Sequence, residues 1–229
     1  MPGEAQSDGR LSTGRSVERL INFSDAVVAV AITVLALPLI DIAGPKPGES
    51  VWPVLWDNAD QISTFLFTFY VVAIMWLAHN RILNEMRAYD PFIFWINTTW
   101  LAAIVLLPWI SALYGESDNR ASVGVVYWGA MAAISLLGSL MGRHLRRNPL
   151  LIGRDSPVVG PGARRQALRG VAFAGYFLAI GVVSLFWPTV ASWMPVGIIL
   201  LSIWFRPVKS YDNDTAADAP RLGAPKETA

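Results

Sequence analysis

The sequence predicts an all-helical integral membrane protein with six membrane-spanning helices per subunit and both termini in the cytoplasm. Three observations predict this fold: the composition is strongly apolar, apolar runs of membrane-spanning length recur, and the basic residues fall on one side of those runs. Of the 229 residues, 54% are hydrophobic and 15% are charged, and ten are Trp. Soluble domains carry about 25% charged residues, so the apolar excess here is expected to face lipid.

Six apolar runs approach the roughly 20 helical residues that a bilayer core of about 30 Å requires. In chain order they cover residues 20–40, 62–78, 92–113, 123–141, 170–187 and 189–205. The last two meet at Trp187 and Pro188, where proline cannot continue a helix and favours a tight hairpin. The flanking segments 1–16 and 207–229 are rich in Gly, Pro, Ala and charge, and we expect disordered cytoplasmic tails around a membrane domain at 17–206.

The first run resembles a secretory signal peptide in one respect, because basic residues precede an apolar stretch. It is longer than the usual apolar region of such a peptide, and Asp25 interrupts it. The five later runs need no cleavable signal. We therefore predict that residues 20–40 form the first membrane span.

The orientation of the spans follows from Lys and Arg, which are retained on the cytoplasmic side of short loops. With the N-terminus inside, only Lys46 and Arg120 of the 18 basic residues fall outside. Missing one span would move every later loop to the other side, so the span count and the orientation support each other. Five Trp then lie near the outer interface: Trp52, Trp56, Trp109, Trp187 and Trp193. The excess of Arg over Lys is typical of GC-rich prokaryotic genomes, so we expect a prokaryotic plasma membrane.

The composition argues against several kinds of site. The chain has no Cys and two His, which excludes a thiolate metal site and leaves little for a His-ligated one. The net charge of +1 comes from short connections and indicates no nucleic-acid surface. We expect neither a metal nor a cofactor.

Asp25 is the most informative residue, because an ionisable side chain inside a span is costly without a partner or water. At 100° per residue, Asp25 points about 140° away from Val30, whereas Val30, Val34 and Leu37 fall within about 60° of one another. The carboxylate and this apolar stripe therefore face different directions. Such a stripe usually faces lipid or a neighbouring helix.

Depth in the membrane predicts the partners of Asp25. The residue lies about 9 Å along the helix from Arg19, at the level of polar residues that end the second span and begin the third. We expect a buried cluster that clamps the first span against the next two: Arg19, Ser24, Asp25, Trp76, His79 and Asn97. The same polar residues also serve as ordinary hydrogen-bonding groups between helices in many membrane proteins.

The residues RLINFSD at 19–25, followed by AVVAVAITVLALPL, resemble the signature opening helix of the transmembrane protein 175 family of potassium channels. MWLAHN at 75–80 is similar to the Trp and His pattern at the end of the family's second helix. WINTTWLAAIVLLPWISAL at 95–113 is similar to its third helix, with Asn97 and Pro108 in place. The resemblance covers residues 19–113, and the rest of the chain resembles the family only in topology.

This resemblance implies a potassium-selective or weakly selective monovalent cation channel, a homotetramer in which the first helix of each subunit lines a central pore. It implies a hydrophobic constriction at Val30, Val34 and Leu37 and a selectivity layer at Thr33. Potassium ions are then the permeant species. The family lacks the filter sequence TVGYG, which is also missing here.

The resemblance also gives the residues of the opening motif a packing role, which adds Phe23 to the cluster expected from depth. The implied helix-clamping network is Arg19, Phe23, Ser24, Asp25, Trp76, His79 and Asn97. The sequence departs from the family at four positions: Val30 and Val34 replace larger side chains, Ala26 replaces a frequent Gly, and Asn80 replaces a frequent second His. Because these valines are smaller than the family's usual side chains, the resemblance does not fix the diameter of the constriction.

Two other functions remain open from the sequence, and a third, an enzyme, is not expected. A secondary transporter would carry inverted repeats and broken helices; no repeat is visible, and Pro38 is a weak indication of a break. A proton-permeable channel would use Asp25. An intramembrane enzyme would require a nucleophile and a base, and Ser24, Asp25 and His79 can be drawn as a triad, although no oxyanion-hole glycines accompany them.

Overall fold

The structure is a computed structural model that describes residues 11–117, 120–152, 163–195 and 197. The regular secondary structure of the described part is α-helical except for two short strands and one turn of 3-10 helix. The elements are β1 (Ser12–Thr13), α1 (Arg15–Val34), α2 (Leu37–Ile40), α3 (Trp52–Asp57), α4 (Ala59–Asn84), β2 (Ala88–Tyr89), α5 (Pro91–Glu116), α6 (Arg120–Arg147), a 3-10 turn (Pro149–Leu151), α7 (Ala163–Phe186) and α8 (Pro188–Trp193).

Five helices in the described residues are long and apolar enough to cross a membrane, which makes the chain a multi-pass membrane protein. They are Arg15–Ile40 (α1 with α2), Ala59–Asn84, Pro91–Glu116, Ala121–Arg147 and Leu168–Phe186. These correspond to the first five predicted spans and extend beyond them, because helical hydrogen bonds continue through the polar residues at the ends. Most of the sixth predicted span, 189–205, lies outside the described residues, as does the predicted tail at 207–229.

The predicted span over 20–40 lies within the candidate membrane span Arg15–Ile40, and its helix is interrupted before Pro38. Pro38 has no N–H to donate to the carbonyl of Val34, so the helical pattern fails there. The N–H of Ala36 donates instead to the carbonyl of Thr33 at 3.1 Å, which is the tighter 3-10 spacing. Consequently α1 ends at Val34, and Leu37–Ile40 forms the separate short helix α2.

The main core lies where α5 packs between the other long helices. Its largest fully buried side chains are aromatic: Trp100 on α5, Tyr127 and Trp128 on α6, and Phe177 on α7. The ring of Trp128 stacks on Phe177 with centroids 6.1 Å apart. These residues hold α5, α6 and α7 together as the body against which α1 and α4 pack.

A second feature, which we call the collar, closes one end of the bundle. Ser12 and Thr13 pair antiparallel with Tyr89 and Ala88. The connection between α4 and α5 also contacts the segment after α6, because the N–H of Arg87 donates to the carbonyl of Leu151 at 2.9 Å. Buried apolar side chains fill the space beneath: Val17, Leu20, Ile82, Leu83, Met86, Ala88, Ile93, Ile96, Met141, Leu145 and Leu151.

The collar constrains topology and corrects one prediction. Because it joins residues 12–13, 86–89 and 151–152, these three segments lie at the same end of the helical bundle, with α1 and α4 running between the first two. The predicted disordered tail at 1–16 was too long, since β1 and the first turn of α1 are ordered. Residues 1–10 lie outside the described part of the chain.

Candidate functional site

The carboxylate of Asp25 is held by two side chains of α4. The Nε1–H of Trp76 donates to Oδ1 at 2.8 Å, and the Nδ2 of Asn80 donates to Oδ1 at 3.0 Å and to Oδ2 at 3.1 Å. Trp76 and Asn80 are four residues apart, so both project from one face of the helix. Asn84, one turn further, donates to Oδ1 of Asn80 at 2.7 Å and thereby orients its amide. The half-buried charge thus has three hydrogen bonds from α4.

Ser24 begins a second chain of hydrogen bonds that ends at His79. The hydroxyl of Ser24 donates to the carbonyl of Leu20 at 2.8 Å, so its oxygen accepts from Nδ2 of Asn97 at 3.0 Å. Oδ1 of Asn97 then accepts from Nε2 of His79 at 2.8 Å, which places the imidazole proton on Nε2. The ring of His79 stacks on Trp100, with centroids 3.8 Å apart and planes 8° from parallel.

These two chains fasten α1 to two neighbouring helices. Ser24, His79 and Asn97 are buried, and Asp25 is partly buried. Asn97 lies between His79 and Ser24, so the imidazole does not reach the serine hydroxyl as a catalytic triad requires. Such a buried polar network is favourable when its members are paired. Among the network atoms that the structure describes, the buried Nδ1 of His79 lacks a hydrogen-bond partner.

The structure brings together five of the seven residues expected in this network and leaves two outside it. Arg19 is exposed and forms no hydrogen bond or ion pair with any residue that the structure describes, and Phe23 is 58% exposed. Arg19 lies about 140° and Phe23 about 100° around the helix from Ser24, the centre of the buried face. Asn80 joins the network, and its four-residue spacing from Trp76 is the signal that indicates this.

The opposite face of α1 is exposed among the residues that the structure describes. Val30 is 62% and Leu37 is 54% exposed, and Thr33 and Val34 are also exposed, whereas Val28 is only 1% exposed. The hydroxyl of Thr33 donates to the carbonyl of Val30 at 2.7 Å, which leaves its oxygen lone pairs free to accept or to coordinate. The apolar stripe is therefore a continuous exposed surface along one side of the helix.

A further polar cluster, which the sequence reasoning missed, lies among α4, α5 and α6. The hydroxyl oxygen of Thr68 lies 2.6 Å from that of Tyr127 and 3.1 Å from that of Ser111, and all three residues are buried. Its members are far from the stripe in sequence and share no motif, so no local pattern indicates them. Within the described ranges, no three His, Asp or Glu side chains converge in a way that could hold a metal ion.

A family model and individual relatives among known proteins point to the same family. The family described as endosomal/lysosomal potassium channel TMEM175 matches residues 19–108. A potassium channel of Streptomyces collinus is 31% identical over 172 residues, which is 72% of this chain and 81% of that protein. A potassium channel of Chamaesiphon minutus is 28% identical over 207 residues, covering 82% and 92% of the two chains.

Longer relatives and a solved structure extend the comparison. The human endosomal/lysosomal proton channel TMEM175 is 26% identical over 190 residues, which is 80% of this chain but 37% of that protein. The crystal structure of a lysosomal potassium-selective channel TMEM175 homolog from Chamaesiphon minutus superposes with a TM-score of 0.68 at 22% identity. That match covers 85% of this chain and all of the other. The fold is therefore shared.

Proposed function

Because this chain belongs to the TMEM175 family of channels, we propose that it conducts potassium, or monovalent cations with weak selectivity, through a pore lined by α1. The pore is formed by four copies of the chain around one axis. The relatives from Streptomyces collinus and Chamaesiphon minutus are named potassium channels, which supports potassium as the permeant ion. The chain lies in a prokaryotic plasma membrane with both termini in the cytoplasm.

The observation that carries this proposal is the exposed stripe of α1. One copy of the stripe cannot enclose a conduit alone, whereas rotational symmetry places the same stripe of each copy around an axis. Val30, Val34 and Leu37 then form successive apolar rings. The buried position of Val28 on the other side of the helix means that α1 is fixed against its own subunit while it presents the stripe outward.

The rings work as a hydrophobic gate. A narrow apolar ring stops ions by dewetting, since an ion cannot give up its hydration without replacement ligands. Thr33 lies on the same side of the helix between Val30 and Leu37, and its oxygen is free to face a passing cation. It contributes the polar layer on which discrimination between potassium and sodium depends.

The polar network sets the angle at which α1 presents these rings. Ser24 and Asp25 hold α1 to α4 and α5 on the faces away from the stripe, so rotation of α1 about its axis would break several hydrogen bonds at once. The network therefore acts on the pore through the position of α1. It does not contact the permeant ion.

A proton-permeable channel that uses Asp25 is the second candidate, supported by the vertebrate relatives that are named proton channels. The contacts of Asp25 favour the first proposal. Its carboxylate accepts three hydrogen bonds from α4 and faces α4 rather than the stripe. A transporter using the same residue would show flux that is coupled to protons and not driven by voltage alone.

The test is a planar-bilayer recording of purified protein under bi-ionic potassium and sodium, with Val30→Asn and Val28→Asn compared. Val30→Asn should raise resting conductance and weaken selectivity, because a polar side chain lowers the dewetting barrier. Val28→Asn buries an unpaired amide and should mainly lower stability. Equal conductance of the two variants would show that α1 does not line the pore.

A further inference from the structure

The outer end of the pore helix is a separate segment. The break between Val34 and Leu37 leaves α2 connected to α1 by only two residues, and Pro38 prevents a continuous helical hydrogen-bond pattern. Leu37 is 54% and Ile40 is 73% exposed. A segment with so little local support needs another contact to fix its position.

Gln61, in the first turn of α4, supplies such a contact. Its Nε2 donates to the carbonyl of Pro38 at 3.1 Å and to Oε1 of Glu116 at 3.3 Å. Both partners accept only, so the amide nitrogen rather than the oxygen must face them. Gly115 allows α5 to come this close: a Cβ there would lie 3.3 Å from the Cα of Gln61. One side chain thus joins α2, α4 and the end of α5.

We propose that Gln61 is a positioning residue for the outer gate, which holds α2 and its constriction residue Leu37 back against the body of the subunit. This inference rests on the proposed function, because it takes Leu37 to be part of the pore. The carbonyl of Pro38 accepts a hydrogen bond from α4, whereas the side chains of Leu37 and Ile40 are exposed. The hydrogen bond therefore acts against inward movement of α2.

Loss of this bond should favour the closed pore. Released from Gln61, α2 can turn about the break and bury Leu37 and Ile40 against the same residues of neighbouring copies, since apolar burial is favourable wherever water reaches the mouth. One hydrogen bond of ordinary net strength corresponds to about a fivefold change in the ratio of open to closed channels. Permeability ratios should not change, because Thr33 is on α1 before the break.

The experiment compares single-channel recordings of Gln61→Met with those of Ser63→Ala and wild type. Methionine keeps the length of the side chain and removes both donors. Ser63 is exposed two residues away, and its hydroxyl donates only to the carbonyl of Asp60 within its own helix. We expect Gln61→Met to lower the open-to-closed ratio about fivefold, with unit conductance, reversal potential and oligomer elution unchanged. An open-to-closed ratio equal to that of Ser63→Ala would overturn the proposal.

Thiol modification gives an independent readout of the position of α2, because the chain has no native Cys. In Leu37→Cys channels, a charged thiol reagent applied from the outer side should react about fivefold more slowly when Gln61→Met is added. Val51→Cys, on an exposed loop beyond α2, is the control and should react at the same rate in both backgrounds. An unchanged rate at Leu37→Cys would also overturn the proposal. If Gln61→Met fails to assemble, Gln61→Leu carries the same test, because it removes the donors without adding a charge beside Glu116.

Leu37→Asn separates this inference from the proposed function. If Leu37→Asn raises conductance and Gln61→Met has no effect, α1 and α2 line the pore and only the positioning role of Gln61 fails. If Leu37→Asn and Val30→Asn both leave conductance at the wild-type level, the pore assignment itself fails. The positioning proposal then fails with it.

Discussion

Replacing Asn97 by alanine should lower the free energy of unfolding by about 2–4 kcal/mol, and the contacts of the side chain account for this magnitude. Asn97 is fully buried and links His79 to Ser24. Hydrogen bonds between membrane helices contribute about 0.6 kcal/mol each on average. The larger part of the loss in unfolding free energy comes from His79, because its Nε2–H would be left unpaired in a buried site at a cost of about 1–3 kcal/mol. Ser24 loses less, because its hydroxyl still donates to Leu20.

The assay is equilibrium unfolding in mixed micelles of a mild detergent and SDS. Thr99→Ala is the matched control on the same helix: Thr99 is exposed, and its hydroxyl donates only to the carbonyl of Trp95. We expect that variant to stay within about 0.5 kcal/mol of wild type. A double-mutant cycle between Ser24→Ala and Asn97→Ala should give a coupling of about 0.6 kcal/mol, and at most about 1.7.

Two results would refute this reasoning. A loss in Asn97→Ala no greater than that in Thr99→Ala would mean that the buried hydrogen bonds do not stabilise the fold. A coupling of zero between Ser24 and Asn97, with both single variants destabilised, would mean that the two residues act separately. In that case the chain of hydrogen bonds from Leu20 to His79 would not act as one unit.

Three further predictions concern other parts of the chain. Asp25→Asn should reduce the yield of folded oligomer more than it changes the reversal potential, because the amide cannot accept from all three donors; a normal elution profile with an altered reversal potential would contradict this. Thr33→Val should change the ratio of potassium to sodium permeability while assembly stays intact, and an unchanged ratio in bi-ionic recordings would remove Thr33 from the selectivity layer. Gly14→Ala should cost about 1–3 kcal/mol of unfolding free energy, because Gly14 has a φ of 56° and an added Cβ meets nothing within 4 Å, so only backbone strain is measured. Gly44→Ala, which has similar open space and no positive φ, should be neutral in the same titration.

The sequence was a better guide to the depth of the polar network along the helices than to the helix faces that carry it. Depth along the helices predicted that Asp25, Trp76 and His79 lie together; in the structure Trp76 hydrogen-bonds to Asp25, while His79 hydrogen-bonds to Asn97. Phe23 lies about 3 Å and Arg19 about 9 Å along the helix from Asp25, and both are on other faces of α1. In a membrane helix both faces are apolar, so the pattern of side chains does not show which face packs against the same subunit.

The angular position of a residue around α1 shows whether it is on the buried face only once one buried residue is known. With Ser24 as the reference, Leu20 and Val28 fall on the same face at four-residue spacing, and both are buried. Arg19 and Phe23 then fall outside that face. The collar was not predictable in this way, because strands of two residues such as β1 and β2 carry no periodicity. The break before Pro38 was indicated by the proline, but the partner of the segment beyond it, Gln61, lies in a different helix.

The collar joins parts of the chain that are synthesised at different times. Ser12 and Thr13 leave the ribosome before α1, whereas Ala88 and Tyr89 emerge only after α4 is complete. Because protein synthesis adds about 5–20 residues per second, roughly 4–15 seconds pass between the synthesis of β1 and that of β2. The strand pair can form only if α1 and α4 have crossed the membrane in opposite directions, so a first helix inserted the wrong way round cannot complete it. Pairing of β1 with β2 is thus possible only after the first two spans have inserted correctly, and once formed it opposes reorientation of α1.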